Sequence, residues 1–220
     1  MSDKLKTHLC EIAMNLNEKG LNHGATGNVS VRSEHGFYIT PSGLANKDLH
    51  PDVIVELDFD GNKLNPENNL NPSSEWLFHK DLLKTNSAIN AIVHTHSPYA
   101  TAMSLTQTKL DSFHYMIAVA GGHDIRYAKY AMFGTQELSN NILEAMKGRK
   151  ACIIANHGVV CAGIDLNEAS DIAEEIEHLC QIYILANQVS KPNLLSKEDM
   201  NEVLNRFHNY SRWRKNNYRL

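Results

Sequence analysis

No run of 18 apolar residues occurs anywhere in the chain, and Met1-Ser-Asp-Lys-Leu-Lys6 has none of the apolar core of a secretory leader. A membrane partner is therefore not expected, and the cytoplasm is the expected location. Cysteine is scarce: Cys10, Cys152, Cys161 and Cys180 are scattered and form no C-x-x-C pair, which points to reduced, mostly buried thiols. Positive charge is not in excess either. Twenty-one Lys and Arg against 25 Asp and Glu leave a formal net charge of -4, which gives no footprint for nucleic acid. Only the tail is locally basic, with Arg212, Arg214, Lys215 and Arg219 near Trp213 and Tyr218; a solvated, frayed terminus is expected there ahead of an RNA-binding appendage. A Walker-type loop and a Gly-x-Ser-x-Gly elbow are both missing, and Gly20-x-x-x-Gly24 lacks the strand–turn–helix context of a nucleotide fold.

What remains is an ordinary globular composition, long enough at 220 residues to bury a substantial core in one domain, at most two. Leu5, Leu9, Ile12, Ala13 and Leu16 recur at helical spacing, and Gly20 ends that helix. Val29–Arg32 and Phe37–Thr40 alternate and are joined by a short turn, which predicts a hairpin; Val53–Leu57 reads as a strand before the Asp60-Gly61 hairpin signal. Residues 62–72 read as loop. Ser73-Ser-Glu75 opens a helix carrying Trp76, Leu77, Leu82 and Leu83. A strand to His94, a short helix from Tyr99 to Leu105, and a strand over Phe113–Val119 follow. A helix then runs to Met146, two strands break at Asn156-His-Gly158, and long helices start near Asn167 and Ser196. Several strand pairs are hairpins, so the pattern predicts an α/β fold with helices on the faces of a mixed, largely antiparallel sheet.

The chemistry concentrates at Ala91-Ile-Val-His94-Thr-His96-Ser-Pro98. Residues i and i+2 share a face of a strand, so His94 and His96 project together from the end of a buried one. Two such imidazoles make half of a zinc site. Twelve His in this length yield a His-x-His pair about 0.6 times by chance, so the surroundings must carry the case. His157 is the best third ligand: it ends an apolar strand, and Gly158 permits close backbone approach or an unusual turn. His79 and His178 fall inside helices, where a satisfied histidine is the default. Glu75 heads a helix, either as a surface acid complementing the dipole or, near a metal, as a ligand or general base. Gly27-Asn28, Ser42-Gly43 and Ser73-Ser74 offer backbone N–H groups and hydroxyls, the last at a helix N-terminus where an anion is welcome; each alone also reads as a turn or cap.

Seven pieces in order resemble the class II aldolase/adducin family, and within it the fuculose-phosphate aldolases. They are Gly27-Asn-Val-Ser-Val-Arg32, Ile39-Thr-Pro-Ser-Gly43, Pro72-Ser-Ser-Glu-Trp76, His94-Thr-His96, His114-Tyr-Met-Ile-Ala118, Tyr130-Ala-Met-Phe-Gly-Thr135 and His157-Gly158. The resemblance implies a single domain over residues 1–220, a three-layer αβα fold with a flexible tail from about residue 208. It implies retro-aldol cleavage of a ketose 1-phosphate, L-fuculose 1-phosphate or a similar sugar, to dihydroxyacetone phosphate and an aldehyde such as L-lactaldehyde. One Zn²⁺ per subunit is expected on His94, His96, His157 and Glu75, to polarise the ketose carbonyl. Gly27, Asn28, Ser42, Gly43, Ser73 and Ser74 are expected to form the phosphate pocket. Glu75 is the expected base at C3, and Tyr115 the group serving the aldehyde oxygen in a neighbouring subunit of a homotetramer with interfacial sites. Phe133, Phe207 and Tyr210 are expected to shape the aldehyde end. Arg126 and Lys129, and Asn156 in place of a common His, depart from the family pattern; the two cations are expected near the cleft. The same scaffold also serves pentulose-5-phosphate 4-epimerases, sugar-acid phosphate decarboxylases and dehydratases, and adducin-like binding modules.

Overall fold

The structure, a computed structural model, describes residues 2–106 and 109–217, with side chains up to residue 207. The side chains of the expected flexible tail, Tyr210 among them, lie outside the described residues.

Alternation along the central strands sorts the buried residues onto two faces. On β4 (Ala91–Thr95), Ala91 and Val93 join one apolar cluster, while Ile92 joins another; His94 therefore shares the second face with Ile92. β4 lies at the centre of a seven-stranded sheet ordered β3-β2-β1-β4-β7-β6-β5. The other strands are β1 (Asn28–Arg32), β2 (Phe37–Ile39), β3 (Val55–Leu57), β5 (Arg126–Ala128), β6 (Ala151–Ile154) and β7 (Gly158–Gly163). Every neighbouring pair is antiparallel except β5 with β6. The mixed, largely antiparallel sheet is as the turn signals predict.

The first face is covered by α1 (Ser2–Glu18) and α5 (Leu166–Val189), whose Leu9, Leu16, Ile172 and Ile176 meet Val29, Val31, Val93 and Ile153. Helix α3 (Pro98–Thr106) packs against α5, and α6 (Lys197–Asn217) contacts the 115–120 segment. The second face is covered by α2 (Trp76–Thr85) and α4 (Gln136–Ala145), through Phe78, Leu82, Leu138 and Ile142. Burying one such side chain contributes about 1.5–3 kcal/mol, so the two clusters clamp the sheet from both sides. The result is the expected three-layer αβα arrangement.

Register then fixes the site. Asn28 pairs with His94 across β1 and β4, and Thr95 pairs with Val159 across β4 and β7. Asn28, His94 and the turn between β6 and β7 thus share one end of adjacent strands.

Three expectations are corrected, and one strand goes unsignalled by the sequence. Residues 115–120 form a 3-10 helix, not a strand: the His114 side chain accepts from Met116 N, Ile117, Ala118 and Ala120 turn inward together, and Gly121 ends the segment at φ 84. Such burial cannot be built by strict alternation. β5, which the sequence does not signal, is a three-residue edge strand bearing Arg126, too short and polar to show a period. Pro51–Val53 is a 3-10 turn, so only Val55–Leu57 remains strand. The Asp60-Gly61 turn forms, braced by Asp58 Oδ1 accepting from Asp60 N and Asn62 N, but beyond it there is only an isolated Leu57–Lys63 bridge.

Candidate active site

Each of the four expected ligands is placed by a different local device. His94 is the fourth residue of β4 and is fully buried. His96 follows the strand, and the Asn22 side chain accepts its backbone N–H at 3.0 Å. Asn22 also explains Gly27: at φ +73, a Cβ there would sit 2.3 Å from the Asn22 amide. His157 follows Asn156, the one non-glycine residue at positive φ (55°) among the described residues, a conformation that Asn tolerates. Ser104 on α3 braces this turn, its carbonyl accepting from Asn156 N and its Oγ from His157 N. A Cβ on Gly158 would meet Thr95 O at 2.4 Å, so glycine is needed for β7 to approach β4. Glu75 occupies the N-cap position of α2 but makes no capping bond; its backbone N–H is taken by Ser73 Oγ, and its carboxylate turns towards the histidines.

The four ligand atoms lie within 4.8 Å of one another. His94 Nε2 is 2.9 Å from His96 Nε2 and 3.1 Å from Glu75 Oε2, and His157 Nε2 is 3.3 Å from Glu75 Oε1. The three rings stand nearly perpendicular, with centroids 4.8–4.9 Å apart. Burial by itself opposes the Glu75 charge, but His94, through charge and hydrogen bond, with His157 and Asn28, holds the carboxyl well below its usual range. Burial likewise opposes charge on His94, yet Glu75 raises it. His96 and His157 go the other way, down to about 3 and about 4, through burial first and the neighbouring rings second.

A metal ion fits this donor set. His94 Nδ1–H donates to Val159 O at 2.9 Å, so in the neutral ring the Nε2 lone pair faces the cluster. Glu75 Oε1 is buried with no hydrogen-bond partner, the condition of a carboxylate oxygen awaiting a cation. Three imidazoles and a carboxylate are a donor set suited to a divalent metal.

The cluster opens into a cavity of about 390 Å³, whose lining includes Glu75, His96 and His157, with His94 buried behind them. Gly27, Asn28, Ser42, Gly43, Ser73 and Ser74, scattered over 48 positions of sequence, all line it. Among the described residues no Lys or Arg lines it, so an anion there would meet hydroxyls, an amide and backbone rather than a salt bridge from them. The expectation of extra cations near the cleft is therefore corrected. Arg126 and Lys129 line a separate cavity of about 290 Å³, and Arg126 donates to Lys147 O. Phe133 lines the main cavity, whereas Phe207 packs against the core instead. Tyr115 is outside the cavity of its own chain and is 51 % exposed.

Sequence reasoning overlooked Asn22 and Ser104, whose hydrogen bonds run across long chain separations and leave no local pattern. It set His79 aside as a satisfied helix histidine, and His79 is indeed fully buried with both ring nitrogens partnered, Nδ1 to Ser30 and Nε2 to Asn28.

Fold and cluster together set four side chains that could hold a metal ion at the end of a mixed sheet. Residues 7–184 match the family described as Class II Aldolase and Adducin N-terminal domain, and the chain belongs to that family. It is 43% identical over 94% of its length to a 5-methylthioribulose-1-phosphate/5-deoxyribulose-1-phosphate aldolase of Rhodospirillum rubrum, covering 92% of that protein. It is 39% identical over 94% of its length to the L-fuculose phosphate aldolase of Escherichia coli, covering 96%. A solved L-fuculose 1-phosphate aldolase superposes with a TM-score of 0.90 at 38% identity, over 94% of this chain and 98% of that one. The chain is accordingly a class II aldolase, a lyase.

Proposed function

We propose that this aldolase cleaves a ketose 1-phosphate to dihydroxyacetone phosphate and a short aldehyde, with Zn²⁺ as its metal. The observation that carries the reading is the convergence of Glu75 and three imidazoles beside an uncharged cradle of six small polar residues. A Zn²⁺ held by His94, His96, His157 and Glu75 supplies a Lewis acid that polarises the ketose carbonyl. The chain's own groups do the rest. Gly27, Asn28, Ser42, Gly43, Ser73 and Ser74 bind the 1-phosphate by neutral donors and so fix C3 and C4 against the carboxylate. Cleavage removes the C4 hydroxyl proton, breaks C3–C4 with its electron pair going to C3, and adds a proton at C3. Glu75 handles the proton at C3, and Tyr115 of a neighbouring subunit the one at the C4 oxygen, in a homotetramer. No lysine Schiff base is needed.

L-Fuculose 1-phosphate is one candidate substrate. 5-Deoxyribulose 1-phosphate and 5-methylthioribulose 1-phosphate are the others, named for the relative at 43% identity. All three carry the same phosphorylated head and lack a terminal hydroxyl at the far end. The apolar lining residues Ala25, Ala131 and Phe133 suit such an end.

The test is product analysis with these three ketose phosphates and their unphosphorylated sugars. Dihydroxyacetone phosphate released from at least one ester, and far less cleavage of the free sugar, is the expected result. An epimer as product, or equal cleavage of the free sugar, would overturn the reading.

A further inference from the structure

Asn28 lies between two groups that make opposite demands on its amide. Its Nδ2 is 3.1 Å from Glu75 Oε2, and its Oδ1 faces Nε2 of the fully buried His79, one turn after Glu75 on α2. On the far side of the ring, His79 Nδ1 is 2.7 Å from Ser30 Oγ. Asn28 and Ser30 are two residues apart on β1, so both reach the same face and pinch the imidazole between them.

One charge orders every proton along this line. The Glu75 carboxylate only accepts, so Asn28 must turn its N–H group towards it. Oδ1 is then left facing the ring, and Nε2 must carry the imidazole hydrogen. Nδ1 is left with a lone pair, and the Ser30 hydroxyl donates to it. With the hydrogen on Nδ1 instead, either two lone pairs would meet at Asn28, or the amide would flip and press its oxygen against the carboxylate. An unpaired buried acceptor of this kind is costly.

We infer that His79 is a positioning residue: as the Nε2–H tautomer it locks Asn28 as a donor towards Glu75, leaving the second amide hydrogen for the phosphate. His79 does not touch substrate; it acts through Asn28 on both the base and the anion cradle. Burial keeps the ring uncharged, lowering its pKa to about 3. The role rests on the reading of Asn28 and Glu75 given above, but the tautomer itself does not.

Two measurements test the inference. Long-range ¹H–¹⁵N correlation spectra of the ¹⁵N-labelled protein, with His79 assigned by its absence from His79→Gln, should show a protonated Nε2 and a bare Nδ1. A protonated Nδ1 overturns the inference, and this arm needs no substrate, so it stands whether or not the aldolase reading does. The second arm compares two amides one methylene apart. Gln places its N–H where Nε2 stood and can still hold Asn28, whereas Asn reaches only towards Ser30. Both should lower the melting temperature similarly and leave metal content unchanged. kcat/KM for the cleaved ketose phosphate should fall less than about threefold in His79→Gln and more than about tenfold in His79→Asn, with a raised KM in the latter. Equal activity in the two variants, or losses that merely follow their melting temperatures, overturns the inference while leaving the aldolase reading intact.

Discussion

Three imidazoles packed around one carboxylate cannot all be charged, and the structure divides them: His94 takes the strongest interaction with Glu75, while His96 and His157 are driven towards neutrality. Neutral rings are the ones that ligate, so a metal ion has to displace the proton that Glu75 favours on His94. The purified protein is therefore expected to hold about one Zn²⁺ per chain, with His94→Ala losing most of it and His178→Ala, an exposed helix position, keeping it. Equal zinc in both variants by elemental analysis would refute the ligand set. Glu75 and Tyr115 should separate by half-reaction. Glu75→Gln should stop exchange of the dihydroxyacetone phosphate C3 proton with D₂O, and cleavage with it. Tyr115→Phe should leave exchange intact and slow cleavage by about 10²–10⁴-fold. Loss of both steps together in Tyr115→Phe would remove Tyr115 from that role. His79 adds a pH dependence. Its native pKa of about 3 is below the ordinary 6.5, so between those values the unfolded chain binds a proton that the native protein refuses. Stability from this group is complete above pH 6.5 and is lost as pH falls towards 3. Urea midpoints should fall less steeply on acidification over that window in His79→Gln than in the parent protein.

Helix α3 starts directly after the His96-Ser97 corner, and the Ser97 Oγ is buried without a hydrogen-bond partner, so it does not cap the helix. Its first turn is completed by Glu177 of α5, whose two carboxylate oxygens accept from Tyr99 N and Ala100 N, both at 2.8 Å. One long helix thus holds the base of another, and through it the chain on which His96 and the Ser104 brace are mounted. Glu177→Ala should cost about 1.5–3 kcal/mol of stability, the range for hydrogen bonds to a charged group, and loosen metal retention; Glu177→Gln, keeping one acceptor, should lose less. Chemical denaturation of the two variants reads this, and an unchanged midpoint in Glu177→Ala would dismiss the cross-helix cap. Elements with a clean 3.6 or 2.0 period, such as α1, α5 and β4, were apparent from the residues alone. The 115–120 segment was not, because its apolar run carries no period, and the choice between strand and 3-10 turn fell to the His114 cap and Gly121.

Tyr115, Tyr130, Met132 and Phe133 are all more than half exposed, large side chains that an isolated chain leaves in water. Tyr130 and Phe133 also line the cavity, so any subunit covering them would border the site. We expect a light-scattering mass near four times the 24.7 kDa of one chain, and lower activity when Tyr130→Asp breaks the assembly. A fully active monomer would contradict the expected interfacial site. The sheet class and which four side chains cluster could be read without coordinates, because alternation, a His-x-His at a strand end and seven ordered motifs are local patterns. Where the cations lie could not: Arg126 sits only two positions before Ala128 of the second-face core, yet the edge position of β5 turns it into another cavity. Nor could the Ser30–His79–Asn28–Glu75 line, which joins β1 to α2 across about fifty residues of sequence. Hydrogen-bond direction along such a line depends on which groups burial and register force together, and only the folded sheet supplies both.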